Sequence, residues 1–300
     1  MSEAGDTTII AFVLSDMRSG STLLDQLLGT HPAILSVGEI HWLAAYATQD
    51  RSEFDPEYEL VCTCGQAVTE CTFWTAVTRR LGKPLEALKL RPAFSAAGKR
   101  IAERMPGLFR FPAAQRAFAG PDMVRDSLAL ADSLAEVSGC RLVVDSSKSE
   151  FRFRAIYEAR PSRVRAIVLT RDYRAVVHSK MKRGHTLEDA AIGWRGKMWR
   201  IAALTDDLPG DTLHRVAYED LCQDPATVLA RVCAFLGVPF SPAMLERPTS
   251  GLHHIGGSPS KFDPARTRVV LDSGYQQAFT PTQLARLRRL VGDVPRRWGY

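Results

Sequence analysis

The chain has 300 residues, 45% of them hydrophobic, with 39 Lys+Arg against 33 Asp+Glu and a formal net charge of +6. That length buries a full core, and a mild arginine excess spread along the chain without a polybasic tail favours an enzyme for a small polyanion over a nucleic-acid binder. No apolar run approaches the ~18 residues needed to span a bilayer, and the acidic, polar start Met1–Asp6 does not read as a secretory signal, so a cytoplasmic protein without a membrane span is expected.

The first apolar run, Ile9–Leu14, reads as a strand that passes through a polar turn into a helix carrying Leu23, Leu24, Leu27 and Leu28. A strand–loop–helix of this kind aims backbone N–H groups and a helix N-terminus at one point, which suits a phosphate. The loop is similar to a Walker A motif, G-x-x-x-x-G-K-[ST], but has Ser15 where the first glycine belongs and Ser21 where the lysine belongs. Its cation comes before the glycine instead, in Arg18-Ser19-Gly20-Ser21-Thr22.

Residues 45–140 carry weak helical signals broken at Arg91-Pro92, Met105-Pro106-Gly107 and Phe111-Pro112, and read as a mostly helical insertion or lid. Within it, Cys62-Thr63-Cys64-Gly65 and Cys71 form a C-x-C-x6-C pattern. That pattern lacks the paired C-x2-C knuckles of structural zinc sites and no fourth ligand is evident, so no metal is expected. Core packing is the expected role of Cys140, Cys222 and Cys233.

Three more apolar runs follow: Leu142–Val144, Arg165–Thr170 and Leu213–Ala217. Each ends in a polar cluster: Asp145-Ser146-Ser147-Lys148, Arg171-Asp172 and Tyr218-Glu219-Asp220. Continuous apolar strands alternating with helices predict an α/β domain over residues 1–300 with a buried parallel sheet, its ligands at the carboxyl ends of the strands. Helical periods place Leu187, Ala190, Ala191, Trp194, Met198 and Ile201 on one face. Another helix, capped by Asp224-Pro225, carries Val228, Leu229, Val232, Cys233 and Leu236, and the last begins at Thr280-Pro281. After the third of the four runs, Arg171 ends a strand and Ser179 and Arg183 share a helical face, so that Arg171 and Ser179 can grip one phosphate from two sides.

Taken together, the two loops resemble the PAPS-dependent sulfotransferases, whose donor is 3′-phosphoadenosine 5′-phosphosulfate. Arg18–Thr22 matches their 5′-phosphosulfate loop and Arg171…Ser179 their 3′-phosphate motif. His31-Pro32-Ala33-Ile34 through Gly38-Glu39 is similar to the H-P-x-V…G-E stretch of tyrosylprotein sulfotransferases. Tyr218-Glu219-Asp220-Leu221 through Phe235-Leu236-Gly237 resembles a block common in the superfamily, and His253–Phe262 a late G-N-P-x-R-F loop, with Gly257 for Asn and Lys261 for Arg.

The resemblance implies a P-loop-like three-layer fold with a central parallel sheet, and transfer of a sulfonate to a hydroxyl or amine acceptor, a small molecule or a biopolymer. It assigns Ser19, Gly20, Ser21 and Thr22 to the 5′-phosphate and Arg171, Ser179 and Arg183 to the 3′-phosphate. Tyr218 would position the purine or a phosphate, and Lys261 would close over the nucleotide. Arg18 would meet charge growing on the leaving group, and Glu39 occupies the family's base position, with His41 and His31 as alternatives. Lys148 would contact the transferred sulfonate or pair with Asp145. The competing readings are an ATP-dependent P-loop kinase, for which no lysine follows Gly20, and a catalytically silent nucleotide-binding protein.

Overall fold

The computed structural model describes residues 8–54, 58–111, 113–114, 120–248, 251–262 and 269–300. Five strands form one parallel sheet in the order β2-β3-β1-β4-β5: β1 Ile9–Leu14, β2 Ile34–Ser36, β3 Leu142–Asp145, β4 Val164–Thr170 and β5 Leu213–Ala217. The α-helices are α1 Ser21–Gly29, α2 Leu43–Thr48, α3 Thr72–Leu81, α4 Ala96–Arg104, α5 Pro121–Ser138 and α6 Glu150–Ala159, followed by α7 Tyr173–Met181, α8 Leu187–Thr205, α9 Tyr218–Gln223, α10 Pro225–Leu236, α11 Pro281–Val291 and α12 Val294–Arg297. Among the described residues, no helix is long and apolar enough to cross a membrane.

Side chains leave a strand on alternate faces, so a strand covered on both faces needs apolar residues at successive positions. In β1, Ile10, Phe12 and Leu14 enter one buried cluster with residues of α6, α7, α8 and α11. Ala11 and Val13 enter the other, with residues of α1, α9 and α10. The result is three layers: helices, sheet, helices. β1 pairs with β3 on one side and β4 on the other, so the strand order reverses at β1 and a crevice opens at its carboxyl end.

The strand expectations match closely. β1 and β5 have the expected bounds, while β3 and β4 are each one residue longer. β2 is additional; at three residues it has no readable period. Asp224 caps α10 by accepting from the Thr227 N–H, and Thr280 and Gln283 form a reciprocal capping box on α11. Within residues 45–140, Trp74 and Val77 of α3 and Leu130 and Leu134 of α5 share a buried cluster with Val37 and Val143. These helices therefore pack on the core beside β3.

At the carboxyl end of β3, Asp145 pairs with Arg152 of α6, and both side chains are fully buried. Asp145 also accepts from the Ser147 N–H at 2.9 Å, which turns the chain after the strand toward the crevice. Removing one partner of such a pair strands a charge in the interior. Arg152→Met is expected to cost about 3–5 kcal/mol in urea unfolding, and a loss under ~1 kcal/mol would contradict this role for the pair.

Candidate active site

The loop between β1 and α1 folds back on itself through two left-handed residues, Arg18 at φ 71° and Gly20 at φ 94°. Gly20 has a steric reason as well: a Cβ there would clash with the edge of the Tyr218 ring. Arg18 has no such licence, and a non-glycine residue in this region carries strain of order 1–2 kcal/mol, the kind of cost that concentrates at functional sites. A buried ion pair, Lys180 Nζ to Asp16 Oδ2 at 2.5 Å, ties the loop to α7. Ser19 and Ser21 are buried at the helix entrance, and the Thr22 hydroxyl accepts from the Ser258 N–H at 3.0 Å.

The residues expected to bind phosphate from two places in the sequence meet here. Arg18 Nε donates to Ser179 Oγ at 2.9 Å, and Arg18 Nη1 reaches Ser258 Oγ at 3.4 Å. Arg171 Nη1 donates to the Arg18 carbonyl at 3.0 Å, and the Arg171 guanidinium lies 4.3 Å above the Tyr218 ring. Tyr218 is thus wedged between Gly20 and Arg171 and forms the floor of the site; burial pushes its hydroxyl pKa up to about 12. Two polar atoms of this cluster, Arg171 Nε and Ser15 Oγ, are buried without a hydrogen-bond partner. Unsatisfied buried groups are rare, and here they fit a site shaped for an anion.

Arg183 is placed differently from expectation. Helix α7 ends at Met181, so Arg183 lies in the exposed turn beyond it and not on the helical face of Ser179. The side chain of Lys261 lies outside the described residues. Asp272 was not anticipated: its carboxylate and carbonyl both accept from Arg171 Nη2 at 3.2 Å. Burial raises the Asp272 pKa, but the Gly274 N–H and Arg171 outweigh that and hold it below the ordinary value.

A second cluster lies across the crevice. Gly38 and Glu39 are pinned on both sides, since Ser146 N–H donates to the Gly38 carbonyl at 2.9 Å and Glu39 N–H to the Ile255 carbonyl at 2.8 Å. The backbone approach is close enough that a Cβ on Gly38 would strike the Ile255 carbonyl. The Glu39 carboxylate pairs with Lys148 Nζ, the two side chains being 13% and 10% exposed. Lys148 is itself left-handed at φ 58° and also donates to the Ser146 carbonyl at 3.2 Å. Lys148 therefore partners Glu39, while Asp145, the alternative partner, is taken by Arg152. Residues 256–258 join the clusters: Gly256 packs on Glu39, and Ser258 bonds Arg18. Two residues of extended chain span about 7 Å.

The two histidines named as alternative bases differ. His31 is engaged at both ring nitrogens, with Nε2 2.7 Å from the Pro239 carbonyl and Nδ1 accepting from the Ala33 N–H at 3.0 Å, which is a structural role. His41 follows Glu39 in a 3-10 turn, with Nδ1 buried and without a partner. Burial first, then Lys148, Arg152, Arg91 and Lys197, hold its pKa well below the ordinary 6.5. Next to Lys148, burial raises the pKa of Glu150, but Lys197 and Arg200 outweigh it and keep the carboxylate ionised. Lys197 also donates to the Lys148 carbonyl at 2.5 Å, holding that backbone in place.

Sequence reasoning missed the Asp16–Lys180 pair, Ser258 and Asp272 because each contact joins segments far apart in the chain. It also missed a neighbour of the cysteines: the fold brings His253 to Cys62, Cys64 and Cys71, the fourth side chain whose lack underlay the expectation of no metal.

Residues 11–242 match the sulfotransferase family. A protein of Caenorhabditis elegans, provisionally named a protein-tyrosine sulfotransferase, is 34% identical over 87 residues, covering 26% of this chain and 33% of that protein. The chain thus spans about a third of the length of the curated relative it matches. Two of the solved structures that share its fold are sulfotransferase domains. The sulfotransferase domain from the curacin biosynthetic pathway has a TM-score of 0.57 and 21% identity, covering 95% of this chain and 98% of that one. The sulfotransferase domain of the Synechococcus PCC 7002 olefin synthase has a TM-score of 0.55 and 22% identity, covering 100% and 97%. With the Arg18 loop, the Arg171–Ser179 site and the Tyr218 helix all inside the matched span, on a P-loop-like parallel sheet, this chain belongs to the sulfotransferase family.

Proposed function

We propose that this protein transfers the sulfonate of 3′-phosphoadenosine 5′-phosphosulfate to a hydroxyl or amine acceptor, with Glu39 as general base. The observation that carries the reading is the convergence of Arg18, Arg171 and Ser179 on one crevice, with the Glu39–Lys148 pair beside it. The buried, unpartnered Arg171 Nε and Ser15 Oγ fit a bound polyanion. In this reading Ser19, Gly20, Ser21 and Thr22 hold the 5′-phosphate, while Arg171 and Ser179 hold the 3′-phosphate from the far side. Arg183, from the exposed turn after α7, and Lys261 remain proposed nucleotide contacts, and Tyr218 acts by positioning Arg171 and the loop. The cytoplasm is the proposed compartment, in keeping with cysteines that form no disulfide.

Transfer forms the acceptor–sulfur bond as the bond from sulfur to the 5′-phosphate oxygen breaks, and the acceptor proton passes to Glu39. Negative charge then grows on the departing phosphate. Arg18 and the N–H groups at the start of α1 face that charge, an effect worth about 3 kcal/mol for each well-aimed donor. Lys148 holds the Glu39 carboxylate in place and offers positive charge to the sulfonate. Glu39 is preferred over His41, because the surroundings of His41 oppose any positive charge on its ring.

That last property has a pH consequence. A histidine held neutral in the folded chain takes up a proton more readily when unfolded, so its stabilising contribution is present above the unfolded value of 6.5 and declines as pH falls below it toward the folded value. Between pH 7 and about pH 5, wild type is expected to lose up to about 1.4 kcal/mol per pH unit more than His41→Asn in urea unfolding. Parallel profiles would contradict the burial of a neutral ring.

Two substitutions separate binding from chemistry. Arg171→Ala is expected to weaken adenosine 3′,5′-bisphosphate binding about tenfold to a hundredfold in calorimetric titration, from the ~1.5–3 kcal/mol typical of a hydrogen bond to a charged group. Equal affinities for variant and wild type would remove the 3′-phosphate assignment. Glu39→Gln is expected to leave bisphosphate affinity unchanged and to abolish its release from the phosphosulfate donor across a panel of hydroxyl acceptors. Retained release would remove Glu39 as the base.

A further inference from the structure

We propose that Cys62, Cys64, Cys71 and His253 hold a zinc ion in a closed, tetrahedral, structural site. One ligand atom from each lies within 4.8 Å of all the others. The three edges among Cys62, Cys71 and His253 are those of a coordination sphere. Cys62 Sγ and Cys71 Sγ are 3.8 Å apart, and His253 Nδ1 is 3.6 Å from Cys62 Sγ and 3.3 Å from Cys71 Sγ. Tetrahedral zinc with its usual Zn–S and Zn–N bonds needs sulfur–sulfur edges of about 3.8 Å and sulfur–nitrogen edges of about 3.6 Å.

Each ligand is placed by a different local device. Cys62 and Cys64 sit on a tight turn closed by the Gly65 N–H donating to the Cys62 carbonyl at 2.8 Å, with Gly65 left-handed at φ 86°. Cys71 is the N-cap residue of α3, which fixes its place at the start of that helix. The His253 ring stacks on Phe73, with centroids 4.8 Å apart and planes 8° from parallel. The two backbones are also laced together. Thr63 N–H donates to the His254 carbonyl at 3.1 Å, the Thr63 hydroxyl to the Leu252 carbonyl at 2.5 Å, and the His254 N–H to Thr63 Oγ1 at 2.9 Å.

Three soft sulfurs and one imidazole in a four-coordinate set select zinc, and four protein ligands leave no open position for a substrate. On binding, each thiol gives its proton to solvent as its sulfur bonds the metal, while His253 binds through a neutral ring. The ion would clip the segment bearing His253 to residues 62–71. That segment continues into Ile255, which holds Glu39, and Ser258, which bonds Arg18. The metal therefore acts as a brace for the late loop and takes no part in the transfer step.

The test is metal analysis of full-length protein, purified under reducing conditions with any affinity tag removed. One zinc per chain is expected, and stripping it with a chelator should lower the melting temperature. Replacement by Co²⁺ should give the intense visible absorption of a tetrahedral site with thiolate charge transfer. Cys64→Ser, at an exposed position, and His253→Ala should each cut the zinc content and change that spectrum. Wild-type protein without zinc after dialysis against Zn²⁺ and reductant, full zinc retention in both variants, or a disulfide within the cluster on isolation would each overturn the proposal.

Discussion

Arg18 is held at every part of its length. Its backbone is left-handed, its carbonyl accepts from Arg171, its Nε rests on Ser179, and its Nη1 reaches Ser258. These contacts draw together the first strand's loop, helix α7 and the late loop, which are separated by 161 and 240 residues in the chain. A cation fixed in this way needs little reorganisation when charge develops beside it, which is the condition for strong electrostatic stabilisation. The strain at Arg18 and the glycine at position 20 follow from the same demand. The loop must turn sharply while leaving room for the Tyr218 ring beneath Arg171.

The late loop is the other half of the arrangement. Ile255 pairs with Gly38 and holds Glu39, Gly256 packs on the Glu39 side chain, and Ser258 caps Thr22 and Arg18. A few residues thus set the distance between the proposed base and the proposed phosphate-binding cation. The same loop is anchored upstream through the three hydrogen bonds between Thr63 and residues 252 and 254. Farther along the chain Asp272 meets Arg171, so a carboxylate stands where an incoming phosphate would compete for the guanidinium.

Much of this fold is legible in the sequence because β1 and β4 are buried on both faces, and near-continuous apolar runs such as Ile9–Leu14 have no other stable home in a chain of this size. The end of each run then marks where polar residues meet, which placed Arg18, Lys148 and Arg171 at one edge of the sheet. β2 escaped because three residues carry no period. Arg183 reads as part of a helical face because the stop signal in this segment, Gly184, allows helix as far as Arg183, whereas the helix ends at Met181. Lys148 has Asp145 as a near neighbour in sequence, but Arg152, in the first turn of α6, claims that carboxylate. Asp16 with Lys180, Asp272 with Arg171, and His253 with the cysteines are tertiary contacts across long separations, beyond the reach of any local spacing rule.

In the proposed function, the Arg18 loop and Arg171 form one site for a nucleotide phosphorylated at both its 3′ and 5′ ends. The most direct measurement is the melting temperature of the wild-type chain with adenosine 3′,5′-bisphosphate, 5′-AMP and ATP, each with and without Mg²⁺. Marked stabilisation by the bisphosphate, independent of Mg²⁺ and well above that by 5′-AMP, is the predicted result. Stabilisation greatest with ATP and Mg²⁺, or equal for 5′-AMP and the bisphosphate, would contradict it.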